Sequence, residues 1–348
     1  MRKALLSTFV AIIITGGVTA PAFADSFRLE GAKDTGLAGV SPFAVNASGT
    51  LDRVFYSGGL GGGGWSLSLC SLDRDCTGTT LPFGFGTDYT QVTLADGSLR
   101  AYFVQPGAGS RSISTASVSY DAAGNPQLGP TTDLGFSAPV GQKAWGVPDS
   151  VVLPDGRVRL YWVTTPTEPI PTGIAPTKKQ LKCLEGVLGK NRVAAINNGS
   201  KILPKDRKAL SRCKISRNQL TGSHSKANEV IVSATSTDAT GTQFVADPGY
   251  RFTGGYVDSD VIQANTGNWI ALVSTGPGSP PQRLYVATSK DGMTWSVDKT
   301  PLTSPATNSL DPSAVPTGPK SWRVYYSESP ADDPFNNHRI VVGTLTRK

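Results

Sequence analysis

Five stretches of the chain repeat one pattern: an apolar strand, a turn holding a glycine, and a second strand rich in aromatics. They read SPFAVNASGTLDRVFYS from Ser41, DYTQVTLADGSLRAYFV from Asp88, PDSVVLPDGRVRLYWV from Pro148, DSDVIQANTGNWIALVS from Asp258 and DPSAVPTGPKSWRVYYS from Asp311. The turn glycines Gly49, Gly97, Gly156, Gly267 and Gly318 are 48, 59, 111 and 51 residues apart, and the long interval contains an insertion. Four units run on through a third apolar strand into a Ser-x-Asp turn, at Ser71-x-Asp73, Ser119-x-Asp121, Ser236-x-Asp238 and Ser289-x-Asp291. Side-chain oxygens of such a pair satisfy backbone N–H groups in a tight turn, so the pattern needs no catalytic explanation.

A period near 50 residues with four strands per unit is the sequence form of a β-propeller. The expected fold is all-β, a five-bladed β-propeller with a small disulfide-tied α-helical insertion in blade three. The competing architecture is a β-sandwich in which the similarity of the segments is accidental. The fifth unit lacks a Ser-x-Asp turn and ends in RIVVGTLTRK, so the N-terminal DSFRLEGA is expected to supply its missing strand. Many Gly, Pro, Ser, Thr and Val residues and a charged fraction of 17% agree with short strands and turns.

The organisation follows. Residues 1–24 have the basic start, apolar run and Ala-Phe-Ala ending of a secretory signal peptide, with an uncleaved membrane anchor as the alternative. Propeller is expected over 25–165 and 229–348, with the insertion at 166–228. Export to an oxidising compartment makes disulfides of the four cysteines, paired locally as Cys70–Cys76 and Cys183–Cys213. With only His224 and His338, and neither at a ligand spacing, a zinc site is not expected. Nothing implies a cofactor, although a structural cation in the central channel would be compatible.

A Pro-rich lead-in opens the insertion. A helix over KKQLKCLEGVLGKNRVAAINNG follows, stopped by Gly199, and a second begins at Pro204. The insertion holds 13 Lys and Arg against Glu168, Glu185 and Asp206, a net of +10. Without Arg2 and Lys3 the chain's +7 becomes +5, so the propeller itself carries about −5. Partners for this patch are an anionic polysaccharide or cell-wall polymer, nucleic acid, or the propeller itself; a solvated hairpin without a ligand is the plain alternative. No nucleic-acid motif is present, no later stretch spans a bilayer, and a secreted monomer is expected.

In a four-stranded blade the start of strand 1 lies at the same end as the loop joining strands 2 and 3, and the Ser-x-Asp turns lie at the opposite end. The insertion therefore emerges at the mouth, beside Asp88, Asp149, Asp258, Asp260 and Asp311 at the inner-strand starts. Phe85, Trp145 and Tyr256 come just before three of these strands as candidate stacking faces, and Glu229 and Glu328 flank the 2–3 loops of blades three and five. A ring of carboxylates suits glycoside hydrolysis, which uses one carboxylic acid and one carboxylate, and crowding should raise some of their pKa values. In that reading Asp258 or Asp149 is base or nucleophile, Glu229 is the acid, and Asp260 and Asp311 orient or tune them. Asp88, Trp145, Tyr256, Phe85 and Glu328 contact substrate. The structural alternative has the same aspartates accept backbone N–H bonds or hold a cation.

The Asp-Pro-Ser-like inner strands, Gly turns and aromatic strands resemble those of the five-bladed glycosidases of arabinanase, xylosidase and fructosidase type, over most of the mature chain. TSKDGMTW from Thr288 resembles the Asp-box turn of sialidases and related propellers. The first resemblance implies a carbohydrate-active mouth. Blade one departs from it, with Ser41-Pro42 where those enzymes commonly place the base aspartate, and no propeller glutamate lies on an inner strand. Sialidase chemistry is not expected, because that family has six blades and three substrate-gripping arginines. The reading that competes with hydrolysis is a non-catalytic propeller binding a protein or cell-wall polymer through the mouth and the insertion.

Overall fold

The computed structural model describes residues 27–58, 64–71, 76, 81–84, 86–107, 110–122, 124–137, 145–164, 178–197, 203–215, 229–276 and 280–348. The expected signal peptide lies outside them. Blade one comprises β2 (Val40–Ser48), β3 (Leu51–Ser57), β4 (Trp65–Ser71) and β5 (Leu81–Gly84). Blade two comprises β6 (Thr87–Thr93), β7 (Leu99–Gly107) and β8 (Ser110–Tyr120), with both β9 (Pro126–Leu128) and β10 (Thr132–Ser137) on its outer edge. Blade three is β11 (Gly146–Val152), β12 (Val158–Thr164), β13 (Val230–Ser236) and β14 (Phe244–Ala246). Blade four is β15 (Tyr256–Asn265), β16 (Asn268–Thr275), β17 (Leu284–Ser289) and β18 (Trp295–Val297). Blade five is β19 (Thr307–Gly318), β20 (Ser321–Pro330) and β21 (Arg339–Arg347), completed by the N-terminal β1 (Phe27–Ala38), which pairs antiparallel with β21 from Phe27↔Arg347 to Ala38↔Arg339. The ring is thus closed by the segment expected to close it.

Each blade presents both faces to neighbours, and side chains alternate between them with the two-residue period of a strand. On β12, Val158, Leu160 and Trp162 pack into the seam with blade two, while Tyr161 packs into the seam with blade four. Every seam carries one such apolar cluster. The Phe55–Tyr89 stack at 4.5 Å lies between blades one and two, and Trp322 with Leu272 and Val286 lies between four and five.

The Ser-x-Asp turns at Ser236 and Ser289 tie seams at the end away from the inner-strand starts, while Asp73 of the first turn lies outside the described residues. In the turn joining β17 and β18, Asp291 Oδ1 accepts the N–H groups of Met293 and Thr294 and the Ser289 hydroxyl, and Ser289 Oγ accepts the N–H of Gly292. Tyr161 of blade three donates its hydroxyl to the Gly292 carbonyl at 2.8 Å, and Trp295 stacks on Phe252 at 5.3 Å. Tyr102 of blade two makes the matching bond to Gly241 in blade three. Gly292 has φ 69°, and a Cβ there would sit 2.7 Å from the Trp269 ring and 2.9 Å from Tyr161 Oη. Gly292→Ala is therefore expected to cost about 1–3 kcal/mol, read as a lower urea midpoint.

Between β12 and β13 lie three helices, α1 (Lys178–Leu188), α2 (Lys190–Asn197) and α3 (Pro204–Arg212). The first expected helix is broken at Gly189, whose φ of 80° ends α1 before the Gly199 stop is reached. Leu184, Val193, Ala209, Leu210, Cys213 and Ile215 form a cluster of their own, and the Cys183–Cys213 disulfide ties α1 to the end of α3. Cys70 and Cys76 form the other disulfide.

Candidate functional site

All five inner strands begin with the same irregularity. Two residues of the inner strand oppose one residue of the second strand, at Ser41-Pro42, Asp88-Tyr89, Val147-Pro148, Asp258-Ser259 and Asp311-Pro312. The first residue of each bulge is left-handed, with φ of 52°, 56°, 48°, 49° and 50°. Aspartate tolerates this region, which explains its repeated use here; Val147, being β-branched, is the strained member.

These bulges sort the carboxylates into two tiers and correct their sequence alignment. Asp88, Asp258 and Asp311 share the bulge position with Ser41 and Val147. Asp149 falls two residues farther along, level with Asp260.

Both tiers bind one blade to the next. Asp149 Oδ2 accepts the N–H of Val261 at 2.8 Å, Asp260 Oδ2 that of Ala314 at 2.7 Å, and Ser313 Oγ that of Ala44 at 3.0 Å. Thr90 and Ser150 hydroxyls meet at 2.8 Å, while the Phe43 and Tyr89 rings, edge to face at 5.6 Å, make the remaining contact of this belt. In the bulge tier, Asp88 Oδ2 accepts the N–H of Val147 at 3.2 Å and Asp311 Oδ2 that of Ser41 at 3.0 Å. The Ser41 hydroxyl lies 2.8 Å from Asp88 Oδ1 and 3.3 Å from Asp311 Oδ2. Asp258 takes the Ser274 hydroxyl at 2.7 Å and lies within hydrogen-bonding reach of Asp311.

Burial dominates the titration of this set, because a carboxylate loses its hydration there. It pushes Asp149 up to about 7, against two backbone N–H bonds that favour the anion. Asp311 rises to about 6, from burial and the charge of Asp88. Asp258 and Asp260 stand well above the carboxylate range, through burial and then the charges of Asp311 and Asp149 respectively. Asp88 is raised less simply, since the Ser41 hydrogen bond opposes its burial. The expected crowding effect is present, with desolvation its larger part.

The tiers line a half-open cavity of about 30 Å³, walled by Asp88, Asp149, Asp258, Asp260 and Asp311 together with Ser41 and Ser259. That is room for roughly two water molecules, far below the hundreds of Å³ of a typical small-molecule site. Among the described residues no group of three or more His, Cys, Asp and Glu is arranged to hold a metal ion.

The other candidates lie outside this cavity. Glu229, 8% exposed, precedes β13, and its Oε2 is 2.7 Å from where a Cβ on Gly276 would stand; burial raises its pKa. Glu328 accepts the Thr307 hydroxyl at 2.8 Å and pairs with Arg339 at 2.8 Å, so its carboxylate is engaged within blade five. Trp145 offers no face to a ligand, for it is buried against Trp162 at 6.3 Å. Tyr256 is half-buried, edge-on to Tyr285 at 5.8 Å. Phe85 lies outside the described residues.

Phe335 was not indicated by the sequence patterns. It is the only largely exposed aromatic side chain among the described residues, 60% accessible on the loop joining β20 and β21. Strand register places that loop at the mouth, since Pro330 pairs with Thr307, beyond Asp311. Asp333 braces it, accepting the side-chain amides of Asn336 and Asn337 at 3.0 Å each.

No family model matches the sequence, and no curated protein does. Solved structures do. An endo-arabinase from Bacteroides thetaiotaomicron superposes with a TM-score of 0.53 at 12% identity, covering 91% of this chain and 96% of that one. An endo-1,4-β-xylanase from the same organism gives 0.51 at 10% identity, over 91% and 97%. An α-L-arabinofuranosidase from Lactobacillus brevis gives 0.51 at 10%, over 88% and 90%, and a GH43 protein from Bacillus licheniformis gives 0.51 at 8%, over 91% and 57%. The chain has the five-bladed fold of these GH43 glycoside hydrolases.

Proposed function

We propose that this protein is an exported propeller that binds a carbohydrate chain at its mouth and does not cleave it. The observation that carries the reading is the blade-to-blade hydrogen bonding of the carboxylate tiers. The aspartates that a hydrolase would present to a sugar are instead hydrogen-bonded from blade to blade around a 30 Å³ cavity. Blade one contributes Ser41 where a base would be expected. Carbohydrate as the ligand is supported by the fold, shared with an endo-arabinase and an endo-1,4-β-xylanase, and by Phe335 held out at the mouth. Export is supported by two disulfides, which persist in oxidising compartments. No helix among the described residues is long and apolar enough to cross a membrane.

The test is calorimetric titration with neutral arabino- and xylo-oligosaccharides, run beside an assay for released reducing ends. Binding without release is expected, and Phe335→Ala should weaken it roughly tenfold, the value of one aromatic stacking contact. Release of reducing ends that Asp258→Asn abolishes would overturn this reading.

The second reading, hydrolysis, is favoured by Glu229. A sheltered carboxyl with a raised pKa is suited to a general acid, with Asp258 or Asp149 as its partner. Glu229→Gln separates the two: it should leave oligosaccharide affinity within twofold if the protein only binds, and stop turnover if it cleaves.

A further inference from the structure

The insertion has its own charge economy. Its buried acid, Asp206, accepts the Leu203 N–H at 2.7 Å and pairs with Arg192 at 2.5 Å. That leaves Lys179, Lys182, Lys190, Lys205, Arg207, Lys208, Arg212 and Lys214 exposed, against the half-buried Glu185. On α3 the division is by face. Asp206, Ala209, Leu210 and Cys213 point into the cluster, while Lys205, Lys208 and Arg212 follow the i, i+3, i+7 spacing on the exposed side. These three stand about 4.5 and 6 Å apart along the helix axis, a ladder of cations held in place by a disulfide-tied core.

A surface that serves solubility mixes signs. Here one sign is gathered on one small unit, and crowding like charges there costs stability unless a polyanion neutralises them. Residues 166–228 contain no Phe, Tyr or Trp, so the unit has no platform on which bases would stack. Lysines outnumber arginines nine to four over the same span, so the unit offers point charges along a chain rather than the bidentate forks by which arginine grips a single carboxylate or phosphate. The unit is also tethered at the mouth: Thr164 and Val230 form the last rung of the β12–β13 ladder, beyond the bulge at Val147-Pro148.

We propose that residues 178–215 are a docking surface for an acidic polysaccharide, a chain with carboxylates on successive sugars, held by ion pairs beside the mouth. The choice of polysaccharide rests on the carbohydrate reading of the mouth; the polyanion surface rests on the insertion alone. Attachment at two points raises the effective concentration of the chain at the mouth.

The experiment is co-sedimentation and calorimetry of the full mature protein with polygalacturonate, polyglycerol phosphate, duplex DNA and a neutral arabinan. Polygalacturonate should bind best among the three polyanions. Four or more ion pairs should make its affinity fall about 100-fold between 50 and 200 mM salt. Lys205→Glu/Lys208→Glu/Arg212→Glu should lower it at least tenfold while neutral oligosaccharide binding and the disulfide are unchanged. Lys179→Gln/Lys182→Gln provides the same readout from α1 if the α3 variant does not fold. Salt-insensitive binding, retention of affinity by both variants, or a preference for DNA or polyglycerol phosphate would overturn the proposal. Absence of neutral-sugar binding alone would sink the mouth reading and leave the polyanion surface standing.

Discussion

Asp52→Ala is expected to remove about 3–5 kcal/mol of folding stability. Asp52 has no exposure in the seam between blades five and one, where β1 completes the ring. The Arg323 guanidinium grips its carboxylate at two points, Nη2 at 2.7 Å and Nε closer, and the Tyr325 hydroxyl adds a third bond at 2.8 Å. Removing the carboxylate strands a cation that is only 8% exposed. That is costly because the guanidinium keeps its desolvation penalty and loses its partner. For a protein whose total stability is of the order of 5–15 kcal/mol, the seam that joins the first and last blades would open first. Urea unfolding followed by tryptophan fluorescence measures the loss. The apolar pair Asp52→Leu/Arg323→Met should recover most of it, since paired removal leaves no buried charge. Equal losses in the single and double variants would mean that the ion pair is not what holds the seam.

The architecture was legible because a propeller repeats its errors as well as its rules. Five turn glycines counted the blades, and the incomplete fifth unit pointed to the strand that closes it. The carboxylate ring was half legible. Pro148 beside Asp149 suggests an alignment of Asp149 with Asp88 and Asp258 that is off by two residues, and the sequence itself holds the correction. Val147 lies nine residues before Gly156, as Asp88 does before Gly97 and Asp258 before Gly267, and Pro148 occupies the place of Pro42 and Pro312. Hydrophobicity hid the equivalence, since a valine does not look like a member of an aspartate ring. The blade-to-blade bonding of the channel aspartates was not legible at all. It depends on five left-handed bulges turning side chains toward the next blade, and no pairwise pattern records that geometry. Trp145 and Glu328 were placed at the mouth by position alone; a core contact with Trp162 and an ion pair with Arg339 decide where they point. Phe335 escaped because a lone aromatic in a Pro- and Asn-rich loop has no periodicity.

Stability should fall as pH rises from about 4 to 8, the reverse of what a propeller held by ionised carboxylates would show. A group whose folded pKa lies above its unfolded value keeps a proton that the unfolded chain releases, so the slope of unfolding free energy with pH is negative between the two values. Asp149, carried from 3.8 to about 7, contributes a loss of about 4 kcal/mol across that window. Asp311, carried to about 6, adds to it in the lower part. The exposed turn aspartates Asp96, Asp155 and Asp238 have lowered values, so they act below pH 4, where their protonation destabilises; the optimum therefore falls near pH 4–5. Asp258→Asn probes the cause. An asparagine there can accept the Ser274 hydroxyl and donate an N–H toward Asp311, reproducing the protonated acid at every pH. The variant should exceed the parent in unfolding free energy at pH 8 by at least about 1 kcal/mol and match it at pH 5. Denaturant midpoints at the two pH values report the folded-state proton on Asp258 whatever its role, and unmoved midpoints would show that Asp258 keeps no proton in the folded state. Turnover, not stability, tells whether that group is also a catalytic base.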